Sequence, residues 1–137
     1  MPGTDFLDTS VLVYAYQVSA PDKQRVAQDL IRTHAGTAVI SLQVLTEFAT
    51  TLLHKFEEPP SPKQLITILD RLSPIKLVAP DGDMVRRAVE TRAAYGLHFY
   101  DCMIIAAAER AGCQRLLSED FSAGQKYFGV TAVNPFR

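Results

Sequence analysis

The chain has 137 residues, enough for one domain with a single core and too few for two. Hydrophobic residues make up 47% of it, charged residues 21%, and the formal net charge is −1. This composition is typical of a globular domain and excludes a disordered chain, although a locally basic groove is compatible with a near-neutral total. We therefore expect one domain over residues 1–137.

The first half of the chain alternates buried-type strands with helices. Residues 4–8 predict a short strand, which a helix through VLVYAY follows. A second helix is predicted from Pro21 to Gly36, because proline suits a first helical turn and glycine ends one. Residues 37–41 (TAVIS) predict the next strand, and Ser41 can cap a third helix with an apolar stripe.

The second half continues the alternation. The predicted elements are, in order, a helix after the PPSP cluster, a strand at 75–79, a helix capped by Asp81, a helix from near His98 to Gly112, a strand at 115–118 and a short edge strand at 131–134. Strands that alternate with helices indicate a parallel sheet covered on both faces. The sequence therefore predicts a three-layer α/β/α domain with a mainly parallel sheet of four to five strands.

The cysteines and the N-terminus bear on the compartment. Cys102 and Cys113 are separated by a predicted helix of roughly 16 Å, too far for a disulfide, and their spacing fits no zinc pattern. The N-terminus lacks a basic region typical of signal peptides, and no apolar run approaches the ~20 residues of a membrane span. We expect buried thiols, no membrane association and a cytoplasmic location.

Four acidic residues lie just after an apolar run or at the start of a helix: Asp8, Glu47, Asp101 and Asp120. In an open α/β sheet these positions converge at the carboxyl ends of the strands, where ligands bind. Carboxylates packed together repel one another unless a positive charge lies among them. Ligation by oxygen alone suits Mg²⁺ or Mn²⁺ better than zinc, so the sequence predicts such a metal site.

Each acid also has an ordinary structural interpretation. Asp8 can cap the helix after it, and Glu47 can be a solvated surface residue. Asp101 lies in a first helical turn, where the helix dipole stabilises a negative charge, and Asp120 can be a turn residue. The segments FLDTSVLVYAY and FYDCMIIAAAERAGC place two of these acids beside apolar surroundings. A carboxylate there is costly unless it is paired, hydrogen-bonded or bound to metal.

At these residues the chain resembles the PIN domain family, and within it the VapC-type ribonuclease toxins. The resemblance rests on FLDTSVLVYA, SLQVLTEFATTL, HFYDCMIIAAAERAGC and RLLSEDF, each around one of the four acids. It implies that these acids bind the metal and are catalytic, with Ser10 and Ser118 as supporting residues. His98 departs from the small polar residue expected there and can be either a helix-entry residue, which we favour, or a contact for the substrate. Glu119 could take the place of its neighbour as the fourth acid.

The resemblance further implies a metal-dependent endoribonuclease that hydrolyses RNA through a metal-activated water. It also implies a homodimer and a small VapB-type antitoxin as partner. Tyr14 and Tyr16 are candidates for stacking an RNA base, although at least one is expected in the core.

Two other classes stay open. A PIN-like interaction module that has lost catalysis would keep the fold. A haloacid dehalogenase-like phosphatase also begins with an apolar strand that ends in Asp, but it requires a second Asp two residues later, where this chain has Ser10.

Overall fold

The computed structural model describes residues 4–137. The strands within this range are β1 (Thr4–Leu7), β2 (Val39–Ser41), β3 (Lys76–Val78), β4 (Cys113–Leu117), β5 (Lys126–Tyr127) and β6 (Val130–Val133). The helices are α1 (Thr9–Tyr14), α2 (Pro21–His34), α3 (Leu42–His54), α4 (Pro62–Leu72), α5 (Gly82–Tyr95) and α6 (Phe99–Arg110). The first three strands are one or two residues shorter than the sequence predicted, β4 begins two residues earlier and ends one earlier, and β6 is shifted by one residue.

The strands form one mainly parallel sheet in the order β3-β2-β1-β4-β6-β5. Only β5 runs antiparallel to its neighbour among the described strands. Consecutive residues of β1 and β2 are buried, which requires cover on both faces of the sheet. The predicted α/β class with a mainly parallel sheet is therefore confirmed.

The sheet has six strands in the described chain, one more than the largest number expected. The additional strand, β5, has two residues and pairs with β6, so β6 is not the edge strand that the sequence predicted. A two-residue turn joins them, with positive φ at Phe128 (48°) and Gly129 (90°), as hairpin turns require. A strand this short has no detectable periodicity, and phenylalanine is not a typical residue for that turn.

Local sequence signals explain where the helices begin and end. Ser41 caps α3, and Asp81 caps α5, each through its side chain. Gly96 ends α5 with φ 69°, in the left-handed region that glycine favours. Ser61 and Gln64 form a capping box at the start of α4.

Helix α6 is apolar along the half of its residues that is buried. Six of its residues are buried, and Ala106, Ala107 and Ala108 are small enough to let neighbouring elements approach closely. Cys102 and Cys113 are both buried and free, as expected. Among the described residues, no helix is both long and apolar enough to cross a membrane.

The strand order brings two distant chain segments together at one edge of the sheet. β1 lies between β2 and β4, and Leu7 pairs in register with Leu117. The residues that follow these two strands, Asp8 and Ser118, are therefore neighbours. This is the point where the strand order reverses direction, which is the usual ligand-binding position of a parallel sheet.

Candidate active site

Asp8 is almost fully buried, with 6% of its surface exposed. Its Oδ1 accepts a hydrogen bond from the backbone N–H of Thr9 at 2.8 Å, so it caps α1. Its Oδ2 accepts one from the hydroxyl of Ser118 at 2.6 Å. The pKa of Asp8 is nevertheless raised to about 6, first by burial and then by the charges of Asp120 and Glu47, against the lowering effect of both hydrogen bonds.

The segment after β4 turns at Ser118 rather than continuing as a strand. β4 ends at Leu117. The hydroxyl of Ser118 accepts a hydrogen bond from the N–H of Asp120 at 3.0 Å, and the N–H of Glu119 donates to the hydroxyl of Ser10 at 3.2 Å. The alternation of side chains between the two faces of the sheet therefore ends before Asp120. Hydrogen bonds, rather than strand geometry, position the side chains of Glu119 and Asp120.

The carboxylates of Glu119 and Asp120 have different surroundings. Glu119 accepts hydrogen bonds from the Tyr14 hydroxyl at 2.6 Å and from Lys23 Nζ at 2.5 Å. These two bonds, that from Lys23 first, lower the pKa of Glu119. The pKa of Asp120 is raised, first by burial and then by the charges of Glu119 and Asp101. Glu119 is thus paired, whereas the charged neighbours of Asp120 are acids.

Asp101 lies in the first turn of α6 and is exposed as a whole residue. The surrounding protein still removes part of the water from its carboxylate, which raises its pKa. His98 caps α6, and its Nδ1 accepts a hydrogen bond from the N–H of Tyr100 at 3.2 Å. This is the helix-entry role expected from the sequence.

Glu47 is exposed on α3. The side-chain Nε2 of Gln43 donates to Glu47 Oε1 at 2.8 Å and to the backbone oxygen of Tyr100 at 3.0 Å. Gln43 therefore connects Glu47 to the start of α6, next to Asp101. Sequence reasoning missed this residue, although the spacing of four positions from Glu47 is one at which helical side chains meet.

The four acids influence one another electrostatically. Asp8 is affected by Asp120 and Glu47, and Asp120 is affected by Asp101. All the charged neighbours that shift the pKa of Asp8 and Asp120 are acids. This is an arrangement that a cation would stabilise, because it would favour the ionised form of every carboxylate.

Carboxylate oxygens are the donors that Mg²⁺ and Mn²⁺ prefer, so the chemistry of these side chains fits such an ion. Within residues 4–137, however, no three histidine, cysteine or acidic side chains are arranged as ready-made metal ligands. Metal binding would require side-chain rotation. Glu47, Asp101 and Asp120 can make that adjustment, because all three are exposed as residues.

The candidate base-stacking role of Tyr14 finds no support in its contacts. Its hydroxyl is bonded to Glu119, and its ring packs edge-on against Phe136 at 4.9 Å between centroids. Lys23 Nζ lies 4.9 Å from the centre of the same ring. Tyr16 is tilted against Phe48 at 5.8 Å, so it also belongs to the packed part of the domain.

The fold and the acidic edge define a class: a parallel α/β protein with carboxylates gathered at the ends of its central strands. Within that class, the model of the PIN domain matches residues 6–127, so the chain belongs to the PIN domain family. Among curated proteins, none matches the chain.

Solved structures of similar fold have low sequence identity. A toxin–antitoxin complex from Klebsiella pneumoniae matches with a TM-score of 0.67 and 21% identity, over 96% of this chain and 98% of that one. DNA-bound VapBC from Salmonella typhimurium matches with a TM-score of 0.70 and 16% identity, over 94% and 96%. VapC20 of Mycobacterium tuberculosis, described as a sarcin-ricin loop cleaving toxin, matches with a TM-score of 0.68 and 18% identity, over 85% of this chain and 90% of that one. At these identities the likeness establishes the fold.

Proposed function

We propose that this chain is a metal-dependent endoribonuclease and the toxin of a VapBC-type pair. The observation that carries the proposal is the buried, uncompensated Asp8, whose charged neighbours are other acids. Membership of the PIN domain family supports a nuclease. The similar structures, which include VapBC complexes and an RNA-cleaving toxin, support the toxin assignment.

In this proposal Asp8, Glu47, Asp101 and Asp120 hold one or more Mg²⁺ or Mn²⁺ ions. When bound, such an ion lowers the pKa of water and stabilises negative charge on a phosphodiester. The protein's own contribution is orientation: Ser118 holds the carboxylate of Asp8. Gln43 bonds both Glu47 and the backbone of Tyr100, which keeps this exposed acid next to the start of α6.

The cysteines support hydrolysis by water rather than by a side-chain nucleophile. Burial raises the pKa of the Cys113 thiol to about 11 and also raises that of Cys102. A thiol with a raised pKa is a poor nucleophile near neutral pH because the thiolate is the reactive form. A phosphatase of the haloacid dehalogenase type is disfavoured as well, since Ser10 lies where its general acid would be and accepts a backbone hydrogen bond.

The partners proposed are an RNA substrate, a VapB-type antitoxin and a second copy of the chain. The antitoxin is supported by the complexes among the similar structures. A short adjacent reading frame that encodes a DNA-binding protein, and co-purification of its product with this chain, would test that partner directly. An isolated gene whose product purifies alone would count against it.

The first test of catalysis is RNA cleavage by purified protein with Mn²⁺ and with EDTA. We expect Asp8→Asn and Asp101→Asn each to reduce cleavage on the order of a hundredfold or more, because each removes a ligand charge while keeping the side-chain shape. Asp70→Asn is a matched control, since Asp70 is an exposed acid on α4. EDTA should abolish cleavage by the wild type.

Metal binding is measured separately by thermal unfolding. A ligand of the native state at a hundredfold excess over its Kd stabilises the fold by about 2.7 kcal/mol. Wild type and Asp70→Asn should therefore melt at higher temperature with Mn²⁺, and Asp8→Asn should respond much less. Metal binding without RNA cleavage would favour the catalytically silent module, and EDTA-resistant cleavage would contradict the metal mechanism.

A further inference from the structure

Helix α1 contacts the segment after β4 at three successive points. At its start, Asp8 accepts the hydrogen bond from the Ser118 hydroxyl. Two residues further along, the Ser10 hydroxyl accepts from the backbone N–H of Glu119. At its end, the Tyr14 hydroxyl donates to the carboxylate of Glu119 at 2.6 Å. One short, rigid element thus fixes the position of Glu119 through both its backbone and its side chain.

A second helix completes the contact. Lys23 of α2 donates from Nζ to the other carboxylate oxygen of Glu119 at 2.5 Å and to the Tyr14 hydroxyl at 3.3 Å. Its ammonium also lies 4.9 Å from the centre of the Tyr14 ring. Tyr14, Lys23 and Glu119 therefore form a closed cluster, here called the Glu119 clamp, in which every pair is in contact.

We propose that Tyr14 and Lys23 are positioning residues that act, through Glu119, on Asp120. The inference rests on the proposed function, in which Asp120 is a metal ligand. Asp120 is the next residue along the chain, and its own N–H is bonded to Ser118. Because Glu119 is held by Tyr14 and Lys23 and the N–H of Asp120 is bonded to the Ser118 hydroxyl, the backbone that leads into Asp120 is fixed by several hydrogen bonds.

The clamp also keeps Glu119 itself from the acid cluster. Glu119 directly precedes Asp120, and each of its carboxylate oxygens is bonded, one to the Tyr14 hydroxyl and the other to Lys23. Without Tyr14 and Lys23, the carboxylate of Glu119 would be an unpaired negative charge next to Asp120 and free to rotate. The clamp thus selects Asp120 rather than Glu119 as the fourth acid of the site.

The test begins with Tyr14→Phe, which deletes one hydroxyl and keeps the ring that packs on Phe136. Tyr16→Phe is the matched control, on a tyrosine two positions further along the chain. A hydrogen bond to a charged group corresponds to about a tenfold effect. We expect Tyr14→Phe to weaken Mn²⁺ binding and to lower kcat for RNA cleavage by about that factor, with little change in KM. Tyr16→Phe should leave both near wild type.

A double-mutant cycle decides whether the effect passes through Asp120. If it does, Tyr14→Phe should weaken Mn²⁺ binding in the wild-type background and change nothing further in the Asp120→Asn background, because coupled residues are not additive. Lys23→Met is a second variant of the clamp, with Arg25→Met as its control on the same helix. If Tyr14→Phe weakens Mn²⁺ binding by the same factor in the Asp120→Asn background as in wild type, the positioning role is overturned.

Hydrogen exchange separates the clamp from the proposed activity. Tyr14→Phe should speed amide exchange in the peptide that covers Ser118 to Ser122, whether or not the protein cleaves RNA. Faster exchange with unchanged Mn²⁺ affinity would overturn the inference and leave the proposed function intact. Unchanged exchange in both Tyr14→Phe and Lys23→Met would overturn the clamp itself. If wild type neither binds Mn²⁺ nor cleaves RNA, the proposed function fails, and the action on Asp120 fails with it.

Discussion

Two buried aspartates lie near opposite ends of strand β1 and have opposite kinds of partner. Asp5, with 4% of its surface exposed, lies near the start of β1, and Asp8, with 6%, directly follows its last residue. Asp5 is paired with Arg115 of β4, whose Nε and Nη2 donate to the two carboxylate oxygens at 2.8 and 2.6 Å. Asp8 instead has two hydrogen bonds from uncharged donors and acids as its charged neighbours.

The difference supports the proposal that the site lies at the end of the sheet where Asp8 is. An arginine fork is the usual way to keep a buried carboxylate ionised, and the register that sets Asp5 opposite Arg115 shows that this fold can supply one. At the other end of the same strand pair, no cation within residues 4–137 is paired with Asp8, and burial raises its pKa. Burial without compensation is the pattern expected where an external cation is to bind.

The largest effect on stability is expected at the end of β1 where Asp5 is paired with Arg115. Arg115→Met leaves the Asp5 carboxylate buried and unpaired, and breaking a buried ion pair in this way costs 3 to 5 kcal/mol. Because the Arg115 side chain is 48% exposed, we expect the low end, about 3 kcal/mol, in the free energy of unfolding measured with urea.

The double variant Asp5→Asn with Arg115→Met is the control for this first prediction. It removes the unpaired charge of the Asp5 carboxylate and should regain much of the stability lost in Arg115→Met. If Arg115→Met is as stable as wild type, the contrast between the two ends of β1 does not hold.

Local patterns predicted most of the fold, but not the contacts between distant segments. Helix ends followed from single residues such as Ser41, Asp81 and Gly96, because capping depends on neighbours in the chain. The contact between Asp8 and Ser118 joins residues 110 positions apart and depends on β1 lying next to β4. The sequence does not state that strand order.

The acidic site was predicted by residue type and by position after apolar runs, whereas its hydrogen bonds were not. The pairing of Asp5 with Arg115 and the Glu119 clamp both need the register of the sheet, which no periodicity carries. Gln43 could have been found from its spacing to Glu47, but its contact with the Tyr100 backbone needs the packing of α3 beside α6. Which carboxylates bind metal stays a prediction.

At the other end of β1, where Asp8 has no paired cation among the described residues, replacing this acid with a neutral side chain should stabilise the protein when metal is absent. A native pKa of about 6, roughly 2 units above the unfolded value, corresponds to about 3 kcal/mol, and Asn loses about 1 kcal/mol of hydrogen bonding. We therefore expect Asp8→Asn in EDTA at pH 7 to raise the free energy of unfolding by about 2 kcal/mol.

The pH dependence of that gain identifies its cause. The native state binds the Asp8 proton more tightly than the unfolded state, so this group's contribution is present below about pH 4 and is lost as pH rises through about 6. The advantage of Asp8→Asn over wild type should therefore be smallest near pH 4 and largest at neutral pH. An advantage that is constant with pH would assign it to packing rather than to charge.

The smallest effect is expected at Glu47, which belongs to the same acidic cluster but is exposed on α3. Water screens its charge, so its repulsion with Asp8 costs little, and exposed substitutions usually change stability by less than about 0.5 kcal/mol. In EDTA, Glu47→Gln should match wild type within that range in a urea titration, while it should still weaken Mn²⁺ binding. A gain as large as that of Asp8→Asn would mean that repulsion among the acids, rather than burial, sets the cost of the site. The expectation that buried Asp8 costs the fold more stability than exposed Glu47 would then be wrong.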